Sequence, residues 1–148
     1  MRRREVSAVN KDLKEHIQDF RERSAARATP PTAWELVGGH IKQRGWSRAV
    51  FSKYCLLGKG HYYNAKNSEE ATPTLPILMA ICVGMNLSMT DTEILLAAAG
   101  FKLSEAIPLH RAYTYIITNL PGISVIECNI FLAGLGFEAL GSTTYFGK

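Results

Sequence analysis

The sequence has few cysteines and no long apolar stretch, and each shortage excludes a class of protein. Its three cysteines, Cys55, Cys82 and Cys128, lie far apart and outside any CxxC pair. An odd, scattered set builds neither a disulfide framework nor a zinc site, so we predict core thiols in a reducing compartment. No apolar run approaches the roughly 18 residues of a transmembrane helix. Polar residues follow Met1, where a secretory signal would be apolar, so we expect a cytoplasmic protein without membrane contact.

The sequence also lacks the short motifs of common enzymes and metal sites. GxSxG, GxGxxG and HExxH do not occur, and the four histidines stand far apart without metal-ligand spacing. Gly58-Lys59-Gly60 has neither the preceding strand nor the following Ser or Thr of a P-loop. Asp91 and Glu93 are explained by the start of a helix, where carboxylates are favoured. We therefore predict that the protein is not an enzyme and that it binds no metal and no cofactor.

Positive charge is concentrated in the middle of the chain. Residues 32–67 contain six Lys and Arg residues against the single Glu35, whereas residues 68–148 contain three against seven acidic residues. Such segregation indicates a polyanion contact in the middle and a different role for the C-terminal part. Charge alone is equally compatible with a solvated basic face that binds nothing.

The first 30 residues are predicted to form a basic arm. Leu13, Ile17 and Phe20 are spaced four and three residues apart, which indicates a short amphipathic helix over about residues 11–23. Residues 24–31, with the sequence SAARATPP, are predicted to be a linker because the two prolines stop a helix. The arginines at positions 2–4 either contact phosphates or are simply solvated.

Signals for the start and end of helices alternate through the rest of the chain, and no alternating strand pattern appears. Thr32-x-x-Glu35 predicts a capped helix that ends at Gly45, and Ser47 predicts a second helix through Tyr54. Residues 57–60 are predicted to be a turn, because two glycines one residue apart disfavour a helix, and residues 61–66 a short helix. Further helices are expected to open at Pro76, at Thr90-x-x-Glu93, before Leu109 and at Ser124-x-x-Glu127. The fold class is therefore predicted to be all-α.

A seven-residue pattern recurs at an offset of 36 residues near the C-terminus. Ser88, Asp91, Ile94, Leu96, Ala97, Gly100 and Phe101 match Ser124, Glu127, Ile130, Leu132, Ala133, Gly136 and Phe137. The pattern predicts a capped helix with one apolar face, a left-handed glycine stop and an aromatic residue that packs back on the helix. Duplication and convergence of two similar helix endings both account for it.

The segment from Arg48 to Asn67 has the organisation of a helix-turn-helix. Such a unit needs an apolar inner face that joins the two helices and a polar outer face on the second helix. The inward positions are Phe51, Cys55, Leu57, Tyr62 and Ala65, and the outward positions are Lys59, Gly60, Tyr63 and Asn64. Asn suits bidentate contact with adenine, while Lys and Tyr suit guanine or phosphate.

From about Trp34 to Leu103 the sequence resembles the phage-repressor-like (XRE) helix-turn-helix regulators. The resemblance rests on Gly45-Trp46-Ser47, on Gly58-Lys59-Gly60-His61-Tyr62-Tyr63-Asn64, on residues 72–82 (TPTLPILMAIC), on Asn86-Leu87-Ser88 and on residues 93–101 (EILLAAAGF). It implies a lambda-repressor-like domain of five helices that binds operators as a homodimer. The chain departs from the family at two positions, since Ser52 stands where Ala is usual and Leu56 where Gly is usual. The turn is therefore expected to be longer, and the second helix shorter, than in the family.

These observations predict a sequence-specific transcriptional regulator, of the repressor type, that binds double-stranded DNA as a homodimer. Its domains are a basic arm (1–30), a helix-turn-helix domain (31–104) and a C-terminal helical extension (105–148) that completes the core or dimerises. The predicted DNA-binding residues are Lys42, Arg44, Ser47, Arg48, Lys53, Lys59, Gly60, His61, Tyr63, Asn64 and Lys66. Four of them are expected to position phosphates (Lys42, Arg44, Arg48, Lys53) and three to contact bases (Lys59, Tyr63, Asn64). The alternative is a protein-binding helical module, such as an antitoxin or adaptor, whose basic face is incidental.

Overall fold

The computed structural model describes residues 3–26 and 29–141, with side chains from residues 10–23 and 29–141, and within them the chain is all-helical. Its eight helices in the described ranges are α1 (Arg3–Ala26), α2 (Ala33–Arg44), α3 (Arg48–Cys55), α4 (Lys59–Lys66), α5 (Leu75–Gly84), α6 (Met89–Ala98), α7 (Pro108–Asn119) and α8 (Val125–Gly134). The predicted all-α class is confirmed. The chain divides into two compact units, of which residues 1–30 hold α1 and residues 31–148 hold α2–α8. None of the described helices is both long enough and apolar enough to cross a membrane.

Helix α1 is longer than the sequence predicts. The expected segment 11–23 lies inside a helix of 24 residues that continues to Ala26. The predicted linker therefore begins too early. Alanine is a strong helix former, and Ala25 and Ala26 extend the helix toward the prolines. Leu13, Ile17 and Phe20 are all exposed in α1. The side chains of the arginines at positions 2–4 lie outside the described residues.

Local capping fixes α2 and α3 where the sequence places them. Thr32 and Glu35 form the predicted capping box, in which the Glu35 N–H donates to Thr32 Oγ1 at 3.2 Å. Gly45 ends α2 with φ 65°, a left-handed conformation that glycine adopts without a Cβ penalty. The Ser47 side chain accepts from the Val50 N–H at 3.3 Å and caps α3. These three predictions are confirmed.

Helix α4 begins two residues earlier than predicted. Gly58 is its N-cap and Lys59 its first residue, so the turn after α3 is only Leu56-Leu57-Gly58. Gly60 lies in the first turn of α4, where its N–H has no partner within the helix and its low helix propensity is tolerated. The expectation that the turn extends to Gly60 is therefore wrong, and α4 is two residues longer than the predicted helix 61–66.

The core of the larger unit is built around α5. Every residue from Ile77 to Val83 is buried, and α5 packs against α3, α6, α7 and α8. The three cysteines are free thiols inside this core, as the sequence predicts. Burial raises the pKa of the Cys82 thiol to about 12 and that of Cys128 to about 11, and it raises the pKa of Cys55 further still. The thiols are thus protonated at neutral pH and pack as small apolar groups.

Two glycines allow the helices around the α3–α4 turn to pack closely. A Cβ atom on Gly38 of α2 would lie 2.8 Å from the carbonyl oxygen of Ala65 in α4. A Cβ atom on Gly84 of α5 would lie 2.6 Å from the carbonyl oxygen of Tyr54 in α3 and 2.8 Å from the Cα atom of Cys55. The positions of α3 and α4 on the core therefore depend on the absence of two methyl groups.

The repeated sequence pattern corresponds to a repeated structure. Helices α6 and α8 start and end 36 residues apart, with Ser88 and Ser124 as their N-caps. The Ser124 capping box is confirmed, whereas the predicted cap at Thr90 is wrong because Ser88, two residues earlier, accepts from the Asp91 N–H. Gly100 and Gly136 follow with φ 82° and 83°, as predicted for left-handed stops.

The repeat extends backward into the turns that precede α6 and α8. Asn86 and Gly122, again 36 residues apart, both have positive φ, and the Gly122 N–H donates to the Asn86 Oδ1 at 2.8 Å. This hydrogen bond joins the turn between α5 and α6 to the equivalent turn between α7 and α8. Helices on both sides of residue 104 share one core.

Candidate nucleic-acid interface

Helices α3 and α4 are held together by the residues that the sequence places inward. Phe51, Cys55, Leu57 and Ala65 are buried, and the half-buried Tyr62 contacts Phe51 with ring centroids 5.9 Å apart. Leu57, in the middle of the turn, is fully buried and anchors the turn to the core. Apolar contacts with α3 and the buried turn therefore orient α4 together with its packing against α2.

The outer side of α4 presents the four residues predicted to face outward. Lys59, Gly60 and Tyr63 are exposed, and Asn64 is half-buried beside them. We call these four residues the α4 arc. At about 100° per residue they cover the side of the helix opposite Ala65 and Tyr62. The Tyr63 ring makes an edge-on contact with the Tyr62 ring, with centroids 5.5 Å apart.

Two of the predicted DNA-binding residues lie on one groove between α2 and α4. Lys42 and Lys66 line a groove of about 320 Å³ together with Glu35, Gly38 and Gly39. A Cβ atom on Gly39 would meet no atom within 4 Å, so this glycine borders open space. The ammonium groups of Lys42 and Lys66 are suited to contact with a phosphate oxygen. The Glu35 carboxylate also lines this groove.

The basic residues of α3 lie apart from this groove. Arg48 is exposed at the start of α3, and Lys53 is exposed in its last turn. Lys53 lines a second groove, of about 370 Å³, with Asn86 and Ile126. The structure thus brings Lys42 and Lys66 together and places Lys53 on a different groove.

Three of the predicted contact residues are engaged within the fold. The half-buried Arg44 guanidinium donates to the carbonyl oxygens of Met85 and His40, each at 3.3 Å. The Ser47 hydroxyl caps α3, and the His61 ring stacks on Trp34 with centroids 6.0 Å apart. Their contact with DNA stays a prediction. Arg44 could have been suspected from its position, because basic residues in the last turn of a helix bind free carbonyls.

The sequence reasoning missed a stack of cations and aromatic rings beside α3. Arg44 lies over the Trp46 ring at 6.0 Å, Trp46 stacks on Tyr54 at 5.2 Å, and the Lys53 Nζ lies 5.6 Å from the Tyr54 ring centroid. Such contacts restrict long, flexible basic side chains. The only signal in the sequence is the alternation of basic and aromatic residues on either side of the α3 cap.

Burial of two histidines predicts that acid destabilises this unit. Desolvation lowers the pKa of His61, and desolvation followed by the Arg44 charge lowers the pKa of His40. Because the unfolded chain then binds protons that the folded chain excludes, stability should be full above pH 6.5 and fall as the pH drops through the folded pKa values. We expect chemical unfolding to show lower stability at pH 5.5 than at pH 7.5.

The variant His61→Phe keeps a ring against Trp34 and removes one titrating group. Its loss of stability between pH 7.5 and 5.5 should be smaller than that of the unmodified chain, while the His40 contribution persists. Equal losses in both proteins would show that His61 does not exclude the proton.

The chain matches no model of a known protein family. It also matches no curated protein and no solved structure. What it does must therefore be inferred from its own helices, charges and exposed side chains.

Proposed function

We propose that the protein is a sequence-specific DNA-binding regulator of transcription, of the phage-repressor type, that acts as a homodimer. The observation that carries the proposal is the α4 arc, which presents the exposed Lys59, Gly60 and Tyr63 and the half-buried Asn64 on a helix anchored by a buried turn. The segment around it carries six basic residues against one acidic residue. A polar helix face surrounded by positive charge is the arrangement that duplex DNA requires.

The backbone of the turn supports the same proposal. Leu56 stands where the resembled family usually has glycine, and it has φ 53°, a left-handed conformation that glycine adopts most easily. The departure in sequence is therefore compatible with a turn that favours glycine at this position. Helix α4 has eight residues and is about 12 Å long. The major groove is roughly 12 Å wide and admits an α-helix, whose diameter with side chains is about 10–12 Å.

Each exposed polar residue has a role in this proposal. Asn64 contacts adenine, and Lys59 and Tyr63 contact guanine or a nearby phosphate. Lys42 and Lys66 hold one phosphate from the groove between α2 and α4, and Arg48 and Lys53 hold others. The missing Cβ of Gly60 lets the backbone of α4 approach the groove floor.

A protein-binding module is the second candidate, and one observation favours it. Leu13, Ile17 and Phe20 form an exposed apolar stripe on α1, which is the kind of face that an adaptor or antitoxin presents to a partner. This alternative predicts no binding of the full chain to duplex DNA.

Substitution of Asn64 should separate base contact from backbone contact. We expect Asn64→Ala to cost about 1–3 kcal/mol on the best duplex and little on random DNA, because it removes hydrogen bonds to one base. Lys53→Ala, the matched control, should weaken binding to both duplexes alike, because phosphates carry no sequence information. The measurement is fluorescence anisotropy with a duplex selected from a random pool and with a scrambled duplex. Unchanged affinity of Asn64→Ala for the selected duplex would remove Asn64 from the interface.

A further inference from the structure

A groove of about 460 Å³ lies between α6, the segment that follows it and α7. We call it the α6 groove. Its wall is largely apolar, because the buried Leu96 and the half-buried Phe101 and Leu103 line it. Pockets for small molecules are mostly apolar and measure about 300–1,000 Å³. The α6 groove therefore has the size and the lining of a small-molecule site.

The extent of the α6 groove favours a small molecule over a protein partner. Nine residues line it. A stable protein interface uses about 20–30 residues on each side. The groove thus offers enough surface to enclose one small apolar group, and too little to hold a second folded chain by itself.

Charge at the rim of the α6 groove favours a cation. Two carboxylates, those of Glu93 and Glu105, and one ammonium group, that of Lys102, line it on exposed residues. Within residues 29–141 no ion pair joins Lys102 to either carboxylate. The rim therefore carries one more negative than positive charge, and it attracts a cation more strongly than an anion.

The repeat shows how the position of Glu93 is used in the second copy. Asn129 of α8 is the equivalent of Glu93, 36 residues later, and its Oδ1 accepts from the Leu140 N–H at 2.7 Å. The chain after α8 thus returns to its own helix, and Leu140 is fully buried. In α8 the side-chain oxygen at this position therefore binds an N–H group that belongs to an apolar residue.

The chain after α6 takes a different course at the equivalent residue. Ser104 corresponds to Leu140, but its N–H donates to His110 Nδ1 at 3.0 Å and not to Glu93. The Glu93 carboxylate therefore does not receive the bond that its equivalent receives from the chain itself. It can accept the same kind of bond from a molecule in the α6 groove.

We propose that the α6 groove binds a small organic cation, in which an ammonium group is attached to an apolar body. The ammonium N–H donates to the Glu93 carboxylate, and Glu105 adds a second negative charge. The apolar body lies against Leu96, Phe101 and Leu103, where its removal from water favours binding. A charged donor binds a carboxylate more strongly than a neutral donor does. This site goes beyond the proposed function and does not depend on DNA binding.

Titration of the full chain with hexylammonium, hexanol and hexanoate tests the proposal, because the three probes share one apolar chain and differ in charge. Two-dimensional ¹H–¹⁵N NMR at about pH 7.5, where the amine is protonated, measures each Kd and locates the site. Hexylammonium should bind at about millimolar concentration. Hexanol should bind roughly tenfold more weakly, because it lacks the charge-assisted bond, and hexanoate more weakly still.

Three variants separate the charge from the apolar wall. Glu93→Gln keeps the shape of the side chain and should raise the Kd of hexylammonium roughly tenfold without changing that of hexanol. Asp91→Asn is the matched control, since it removes the same charge from an exposed residue of α6 that does not line the groove, and it should leave both values unchanged. Ala97→Leu fills space at an exposed position of the wall and should weaken both probes.

Each outcome decides for or against the cation site. Shifts centred on residues 93–105, with the loss of affinity in Glu93→Gln and not in Asp91→Asn, support it, whether or not the protein binds DNA. Absence of hexylammonium binding overturns it. Hexanol or hexanoate binding as tightly as hexylammonium, or equal losses in Glu93→Gln and Asp91→Asn, would also overturn it, even if the protein proves to bind DNA as proposed.

Discussion

Gly84→Ala is expected to lower the melting temperature by roughly 8 °C, the largest effect on stability that we predict for a single methyl group. The new Cβ would lie 2.6 Å from the Tyr54 carbonyl oxygen and 2.8 Å from both Cα and Sγ of Cys55. Overpacking of this kind costs about 3 kcal/mol. Alanine recovers about 1 kcal/mol through its higher helix propensity, which leaves a net loss of about 2 kcal/mol.

Gly39→Ala is the matched control, because Gly39 is also helical and a Cβ there would meet no atom within 4 Å. Only the helix-propensity gain remains, so this variant should melt a few degrees higher than the unmodified chain. Thermal unfolding followed by circular dichroism measures both variants. If Gly84→Ala melts at or above the temperature of Gly39→Ala, then α3 does not pack on α5 as closely as the structure has it.

The parts of the fold that could be predicted from the sequence are those that depend on neighbouring residues. The capping boxes at Thr32 and Ser124 and the left-handed stops at Gly45, Gly100 and Gly136 each involve residues within a few positions of one another. Their hydrogen bonds form in any context that starts or ends a helix there. Such signals located most of the helices of the larger unit.

Predictions from the sequence were wrong or missing where two local signals compete, or where residues far apart in the sequence come into contact. Gly58 and Gly60 both disfavour a helix, but only packing of Leu57 into the core decides that α4 starts between them. The contact of Gly84 with Tyr54 and the bond from Arg44 to Met85 join residues 30 or more positions apart. No spacing rule anticipates such contacts, since tertiary packing overrides local preference. For the same reason, the exposure of Lys59, Gly60 and Tyr63 could be predicted from helix spacing, whereas the contacts of Arg44 and His61 within the fold could not.

Affinity for duplex DNA is expected to fall about 100-fold or more between roughly 50 and 200 mM salt. Five lysines and arginines between residues 32 and 67 are exposed (Lys42, Arg48, Lys53, Lys59 and Lys66). Each phosphate that they neutralise releases counterions, so the logarithm of the affinity falls linearly with the logarithm of the salt concentration. The double variant Lys42→Ala/Lys66→Ala should reduce this slope by about 1, because the two lysines hold one phosphate between them. Lys102→Ala, an exposed lysine outside the basic segment, should leave the slope unchanged.

The most direct measurement is a titration of the full chain with a mixed pool of duplex DNA at the two salt concentrations. Binding to DNA through the basic surface around α4 predicts a measurable affinity at the lower salt, a steep loss at the higher salt, and a shallower slope for Lys42→Ala/Lys66→Ala than for Lys102→Ala. Absence of binding at the lower salt, or an affinity that does not change with salt, would contradict it.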